Sequence, residues 1–338
     1  MALLFLQRHS FLLHLLFLLA LLPPFTHQIQ QQRHHPKINT VDLNALIAIK
    51  NSLIELPTTS FFSTWDVTAS DPCSSFSGVT CALDPFSVTL RVTILTLGTG
   101  LYDSSRLAGS LSNSIANLTE LTQLILSPGM VTGPIPPQLG RLRNLRVLSL
   151  TNNCLTGTIP DSLSALKNLH TLDLSYNQHT GSIPPGLTKL PELKVLILAS
   201  NSLSGELPTV SAQLLHLDLK SNRFTGLLPP SMPLSLRYLS LSDNIMWGPL
   251  NGLESLSELV YLDLSMNKFS GPIPTSLFFS TTLSSLFLQR NNLSGRVPQQ
   301  QEGPTAIEWG GVHRRLEPQF FNWGIINGSC WCRELVLK

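Results

Sequence analysis

The stretch LRVLSLTNNCLTGTIPDSLSALKN, residues Leu145–Asn168, decides the fold, because its pattern of leucine, asparagine, glycine and proline recurs along the chain. Copies of this pattern begin at positions 92, 121, 145, 169, 193, 214, 236, 259 and 283. A repeat of about 24 residues predicts a solenoid, because one such unit cannot bury its own apolar face and must stack on its neighbours.

The spacing of residues within the repeat predicts its local structure. The Leu-x-x-Leu-x-Leu segment is typical of a short strand whose alternate leucines face the core, and stacked strands would pair into a parallel sheet. The asparagine that follows the strand carries both a donor and an acceptor, so it can satisfy backbone groups at the turn. We call these residues the ladder asparagines: Asn153, Asn177, Asn201, Asn222, Asn244, Asn267 and Asn291.

The second half of the repeat resembles the plant type of extracellular leucine-rich repeat. The segments LTGTIPDSLSALKNL (155–169) and FSGPIPTSLFFSTTL (269–283) carry this resemblance, and residues 42–81 resemble the cap that precedes such repeats. The resemblance implies an α/β fold, a right-handed leucine-rich repeat solenoid of horseshoe shape. It implies a parallel sheet on the concave face, a mostly irregular or 3-10 convex side, a helical N-terminal cap, and a cap disulfide between Cys73 and Cys81.

The pattern divides the chain into four segments. Residues 1–27 contain an apolar run of signal-peptide length, and no later apolar run is long enough to span a membrane. Residues 28–91 form a lead-in and the N-terminal cap, and residues 92–298 form nine leucine-rich repeats. Residues 299–338 lack leucine periodicity, so we expect either a disordered or frame-altered tail or an unrecognised cap.

Residues that face solvent on the strands are the candidates for ligand binding. His216, Tyr238 and Tyr261 occupy the same outward position in three successive repeats, so we expect their rings to lie side by side. Aromatic and arginine side chains are frequent interface anchors. The alternative is an ordinary solvated sheet whose aromatic residues favour strands. The complete predicted ligand-binding set on the concave face is His216, Asp218, Tyr238, Tyr261, Asp263, Phe287 and Arg290.

Other positions predict a second contact and sites of modification. Trp247 stands in a row that otherwise carries threonine or serine, so it is a possible second contact, or it packs over neighbouring repeats. Three Asn-x-Ser/Thr sequons predict N-glycosylation if the chain is exported, at Asn117, Asn292 and Asn327.

Composition and motifs limit the function classes. Charged residues make up 12% of the chain and the formal net charge is +2, which argues against a nucleic acid as partner. Asp173, Asp218 and Asp263 occupy equivalent outward positions two repeats apart, so neighbouring members of this series should lie about 9.6 Å from each other. An open sheet, however, offers no desolvated pocket for catalysis by such a pair. We therefore expect no enzyme activity, no cofactor and no metal site.

The function that we expect is a non-catalytic extracellular recognition module. It would bind a peptide or protein in plant cell-surface signalling or defence, possible partners including a receptor-kinase co-receptor. The product would be secreted to the cell wall, or held at the plasma membrane by an anchored partner. Alternatives are a secreted inhibitor of microbial polygalacturonase, a structural cell-wall protein, and a truncated, inactive receptor product.

Overall fold

The computed structural model describes residues 36–56, 60–68, 71–98 and 107–295, together with the backbone of 313–315. The expected signal peptide, the sequon at Asn327 and most of the tail lie outside these residues. Lys37–Lys338 form one compact unit, and the description below concerns that unit.

Stacked parallel strands form the concave sheet, with one strand from each repeat. Equivalent residues face one another in this sheet: Leu148, for example, pairs with Leu172, which pairs with Leu196. The leucines are buried and form one continuous core through the stack. In spatial order the parallel strands are Lys37–Ile38, Thr89–Leu97, Gln123–Leu126, Val147–Ser149, Thr171–Asp173, Val195–Ile197, His216–Asp218, Tyr238–Ser240, Tyr261–Asp263, Ser285–Phe287 and His313–Arg315. A further strand of the cap, Val79–Leu83, pairs antiparallel with Thr89–Leu97.

A second set of strands follows the ladder asparagines on the next side of the solenoid. The sequence did not lead us to expect these strands, because their Leu-x-Gly segments are short and lack a longer alternation of apolar and polar residues. Seven pair into one sheet: Leu53–Glu55, Leu107–Ser110, Met130–Pro134, Cys154–Thr158, Gln178–Gly181, Ser202–Glu206 and Arg223–Thr225. The first of these strands belongs to the cap and pairs antiparallel with Leu107–Ser110. Three more form a separate sheet: Trp247–Gly248, Lys268–Pro272 and Asn292–Ser294.

Short helices complete the turns. The α-helices are α1 (Thr40–Ser52), α2 (Pro72–Ser75) and α3 (Thr275–Phe279). The 3-10 helices are Phe61–Thr64, Asn113–Asn117, Pro137–Arg141, Asp161–Ala165, Leu187–Lys189 and Leu253–Ser255. Among the described residues the convex connections of the repeats therefore use 3-10 turns and one short α-helix, while the long helix α1 belongs to the cap.

The structure describes three residues of the tail. His313–Arg315 pair in parallel with Ser285–Phe287 and extend the concave sheet by one strand. The last repeat strand would otherwise present a row of unpaired backbone groups, which an extended segment can satisfy.

The ladder asparagines make the hydrogen bonds that the sequence predicts. In Asn244, Nδ2 donates to the carbonyls of Leu219, Leu241 and Ser242, each at 3.1 Å. Its Oδ1 accepts from the backbone N–H of Phe224 at 2.9 Å. One side chain thus joins two consecutive repeats. The residue before each of these seven asparagines has a left-handed backbone with φ between 54° and 57°.

The N-terminal cap closes the first repeat with an aromatic cluster and a disulfide. Trp65 is 1% exposed, and its ring stacks on that of Phe76 with centroids 5.0 Å apart. The expected disulfide between Cys73 and Cys81 is present, with a Cα–Cα distance of 5.7 Å. Phe76 lies between the two cysteines in sequence, so the disulfide and the aromatic cluster form one unit.

His179 is an exception within the core. It is fully buried at a position where Leu155 and Leu203 stand in the neighbouring repeats. Its Nδ1 lies 3.3 Å from the carbonyl oxygen of Gly157, but its Nε2 has no partner among the described residues. Burial lowers the pKa of His179 below its usual value of 6.5. The imidazole therefore brings a desolvated nitrogen into an apolar core.

We expect His179→Leu to stabilise the protein. Removing an unsatisfied buried group should raise the free energy of unfolding by about 1–2 kcal/mol at pH 7.5. Because the folded pKa is lowered, the unfolded chain binds more protons below about pH 6.5, so the wild type loses stability as the solution is acidified. The variant lacks this loss, and its advantage should grow between pH 7 and pH 5. Urea denaturation at several pH values tests this, and an equal or smaller advantage at pH 5 would contradict it.

Candidate functional site

Three neighbouring strands of the concave sheet bring His216, Tyr238 and Tyr261 into one column. The register pairs His216 with Tyr238 and Tyr238 with Tyr261, so equivalent side chains meet on the same face. The rings of His216 and Tyr238 are 4.0 Å apart and 2° from parallel, and those of the two tyrosines are 4.4 Å apart and 4° from parallel. The rings thus lie side by side, as the repeat alignment predicts. We call these three residues the aromatic stack.

Phe287 extends the aromatic surface without joining the stack. It occupies the outward position next to that of the stack, and its register partner is Asp263. Its ring lies 5.6 Å from that of Tyr261 at an angle of 47°. The exposed Arg290 lies beyond the same strand, with its Nη1 3.9 Å from Sδ of Met266. The last two repeats therefore add a tilted ring and a cation to the patch.

The carboxylates beside the aromatic stack differ in their availability. Asp263 is half-buried, and its Oδ1 accepts hydrogen bonds from the backbone and the hydroxyl of Ser265. Asp218 is only 6% exposed, and Nζ of Lys220 lies 3.3 Å from its Oδ2. Asp218 is among the residues that the sequence predicts for the concave patch, whereas Lys220 is not. The alternation of outward positions places this lysine on the same face as Asp218, but it does not predict the ion pair between them.

Burial and the nearby carboxylates shift the pKa values of the aromatic stack. Burial lowers the pKa of His216, although Asp218 acts in the opposite direction. Burial, followed by the charge of Asp218, raises the pKa of Tyr238. Burial and the charge of Asp263 raise the pKa of Tyr261. Near neutral pH the stack therefore presents neutral rings, with a tyrosine hydroxyl on two of them.

Trp247 lies on a different surface from the aromatic stack. It belongs to the first strand of the separate three-stranded sheet, and its side chain is 50% exposed. Its neighbours Ile245 and Leu227 are 46% and 49% exposed. Trp247 is therefore not fully covered by adjacent repeats, and the structure does not unite it with the concave patch.

The sequons at Asn117 and Asn292 both lie on exposed residues. Asn117 ends a 3-10 helix on the convex connection, and Asn292 begins a strand of the three-stranded sheet. Both positions are sterically open to modification. Within the described residues, no helix has both the length and the hydropathy needed to cross a bilayer.

Comparison with known families agrees with this architecture. A leucine-rich repeat N-terminal domain model matches residues 39–82. A model for two copies of the leucine-rich repeat matches 143–189, and a single-repeat model matches 213–233 and 258–279. The chain thus contains a leucine-rich repeat N-terminal domain followed by leucine-rich repeats. A comparison with curated proteins found no match.

Solved structures similar to this chain include a plant ice-binding protein, at 25% identity with a TM-score of 0.57, covering 78% of this chain and 90% of that one. A TDR receptor is 31% identical with a TM-score of 0.48, and the match covers 56% of this chain and 38% of the receptor chain. The Arabidopsis receptor kinase HAESA ectodomain, solved with an N-terminal extended IDA peptide hormone ligand, is 27% identical, with a TM-score of 0.44 and coverage of 75% and 53%. The chain thus spans about half or less of the two receptor ectodomains.

Proposed function

We propose that the protein is a non-catalytic extracellular recognition module, which binds a peptide or protein partner through the concave patch around the aromatic stack. The observation that carries this proposal is the parallel alignment of three aromatic side chains on an open sheet. Similarity to a receptor ectodomain that was solved with a peptide hormone agrees with it. Signalling or defence at the plant cell surface is the corresponding role, with a receptor-kinase co-receptor as a possible second partner.

The geometry of the aromatic stack defines what it offers to a partner. Because the rings lie face to face at 4.0 and 4.4 Å, the faces between neighbouring rings are covered. A partner therefore meets ring edges, tyrosine hydroxyls and the imidazole. These groups suit peptide bonds and polar side chains better than a flat ligand that must stack on a ring face. The rings are already ordered by one another, which reduces the entropy lost on binding.

The size and charge of the patch favour a short extended segment. The four strands from His216 to Phe287 span about 14 Å, which corresponds to about four residues of an extended peptide. Asp218 and Asp263 lie on the same surface as Lys220 and Arg290, so both signs of charge are present. A peptide with polar and charged side chains would find complementary groups along its length.

Removing the aromatic stack should weaken partner binding. We expect His216→Ala/Tyr238→Ala/Tyr261→Ala to weaken binding at least about tenfold, because buried aromatic anchors commonly contribute about 2 kcal/mol to an interface. Ligands would first be selected from a displayed peptide library with the full chain, and their affinity then measured by calorimetry.

The matched control for this variant is Val147→Ala/Thr171→Ala/Val195→Ala. These residues occupy the same outward position in three earlier repeats. If both triple variants bind the selected peptides like the wild type, the patch is not the binding surface. Circular dichroism would confirm that each variant is folded.

The other functions require separate measurements. Inhibition of a fungal polygalacturonase, lost in the stack variant, would favour the inhibitor function. Retention by wall material without a saturable partner would favour a structural role. Capture of a kinase ectodomain from plant extracts would favour the receptor-like role.

Ice binding is a second candidate, because one observation besides the similarity to an ice-binding protein favours it. In the strands that follow the turn, the residue just before the glycine carries a hydroxyl in seven repeats. These residues are Thr132, Thr156, Thr180, Ser204, Thr225, Ser270 and Ser294. Such a repeated row could order water, although Trp247 interrupts it. An ice recrystallisation assay separates the candidates, since the concave stack variant should retain any activity that resides on the hydroxyl row.

A further inference from the structure

A column that contains three cationic side chains runs along one edge of the concave sheet, apart from the aromatic stack. It consists of the residues that follow the first leucine of repeats three to seven: Arg146, His170, Lys194, Leu215 and Arg237. The backbone carbonyl of each accepts a hydrogen bond from the backbone N–H of the next, at 2.8 to 3.0 Å. The column is therefore continuous. We call these five residues the flank column.

The polar side chains of the flank column are available to a partner. Arg146 and His170 are exposed and Lys194 is half-buried. In the part of the chain that the structure describes, none of these three side chains takes part in a hydrogen bond or an ion pair. Arg237 makes an exposed pair with Glu258 at 3.7 Å, which a stronger partner can replace.

Two nearby cations, Arg143 and Lys167, are not part of the flank column. Nη1 of Arg143 donates to the carbonyl of Ala165 at 2.7 Å, and Nζ of Lys167 donates to that of Ser164 at 3.1 Å. These side chains are directed to the convex connections. At its N-terminal end the column opens into a cleft of about 380 Å³, lined by Arg146 and Arg91 and also by the carboxylates of Asp84 and Glu120. The carboxylates lie at this end of the column, so the proposed partner is placed along the strands that follow.

The spacing of the flank column selects a particular kind of acidic partner. Adjacent strands lie about 4.8 Å apart, so Arg146, Lys194 and Arg237 recur every second strand at intervals of about 9.6 Å. Side chains on one face of a flat extended peptide recur at about 6.7 Å and do not match. A polyproline II helix has three residues per turn and a rise of about 3.1 Å, so every third residue recurs at about 9.3 Å.

We propose that the flank column is a docking surface for an acidic, proline-rich peptide segment in the polyproline II conformation. Carboxylates at every third residue would meet Arg146, Lys194 and Arg237 in turn. Leu215, which is 39% exposed and lies between the last two cations, would contact a prolyl ring. The peptide is already extended before it binds, so little conformational entropy is lost.

The test uses the full chain and a fluorescein-labelled peptide of about five Glu-Pro-Pro triplets, with binding followed by fluorescence anisotropy. We call it the triplet peptide, and we expect saturable binding that weakens as salt is raised from about 50 to about 300 mM. Two peptides of the same length serve as controls. In the first, glutamine replaces every glutamate, which removes the charge. The second, the block peptide, has the same composition, but all its glutamates precede all its prolines. Both should bind at least about fivefold more weakly.

Two charge-matched variants identify the surface. Arg146→Gln/Lys194→Gln should weaken binding of the triplet peptide about tenfold, since charge-assisted contacts are lost at two positions. Arg143→Gln/Lys167→Gln removes the same charge beside the column and should have little effect. Neither pair is buried in the core, so both variants should fold.

Several outcomes would overturn the proposal. One is the absence of saturable binding, and another is equal binding of the block peptide. Equal losses in the two double variants would indicate unspecific attraction by net charge. Binding of polygalacturonate that depends on Arg146 and Lys194, without binding of the triplet peptide, would assign the column to an acidic polysaccharide. The aromatic-stack variant should bind the acidic peptide normally, so failure of one proposal does not affect the other.

Discussion

Asp42→Ala should lower the free energy of unfolding by about 3–5 kcal/mol, because it leaves a partly buried arginine without its main partner. Asp42 is fully buried in helix α1 and accepts from Nε and Nη2 of Arg91, both at 3.1 Å. It also accepts from the backbone N–H of Val92 at 2.8 Å. The bond with Asp42 raises the pKa of Arg91. Because an arginine stays protonated in proteins even without such a partner, the guanidinium keeps its charge when the carboxylate is removed.

Loss of the Asp42–Arg91 pair should destabilise more than the cap helix alone, because of where the pair lies. Val92 begins the first repeat, so the carboxylate of Asp42 joins the cap helix to the start of the solenoid. A solenoid needs a cap over its terminal apolar face. Urea denaturation followed by circular dichroism should show an earlier transition. Hydrogen exchange should show loss of protection at the backbone amide of Val92.

Two other substitutions act as controls for Asp42→Ala. Asp42→Asn keeps an acceptor for Val92 but removes the charge, so its stability should lie between those of the wild type and the alanine variant. Asp66→Ala removes an exposed carboxylate from the same cap and should change the stability little. If Asp42→Ala denatures at the same urea concentration as Asp66→Ala, the pair does not hold the cap in place.

The sequence predicted the repeat architecture because each repeat contains the whole pattern. The alignment of repeats also places His216, Tyr238 and Tyr261 in one column, since equivalent residues of stacked strands must meet. A single repeat would not have been enough for either prediction. The agreement therefore comes from periodicity and not from the properties of any one residue.

Contacts between the cap and the repeats could not be predicted in this way. Arg91 and Asp42 are 49 residues apart and belong to segments that do not repeat, so no periodic position relates them. The ion pair between Asp218 and Lys220 could not be predicted for a different reason. Its residues are two apart, but pairing depends on side-chain rotamers that the spacing does not determine. The second set of strands could not be predicted because their segments are short and lack a longer alternation of apolar and polar residues.

Asn177→Ala should lower the free energy of unfolding by about 2–4 kcal/mol, because one substitution leaves groups of two repeats unsatisfied. Asn177 is 5% exposed, and its Nδ2 donates to the carbonyls of Leu150, Leu174 and Ser175 at 2.9 to 3.2 Å. Its Oδ1 accepts from the buried backbone N–H of Leu155 at 3.0 Å. Water cannot easily replace these partners in the core, so their desolvation cost remains.

Asn168→Ala is the matched control for Asn177→Ala, because this exposed asparagine also bridges two repeats. Its Nδ2 donates to the carbonyl of Arg143 at 2.9 Å, where water can take over the bond. We expect it to cost less than about 1 kcal/mol. Urea denaturation of both variants gives the comparison. Similar losses for the two substitutions would mean that the ladder contributes no more than a surface hydrogen bond. The leucine core would then hold adjacent repeats together without it.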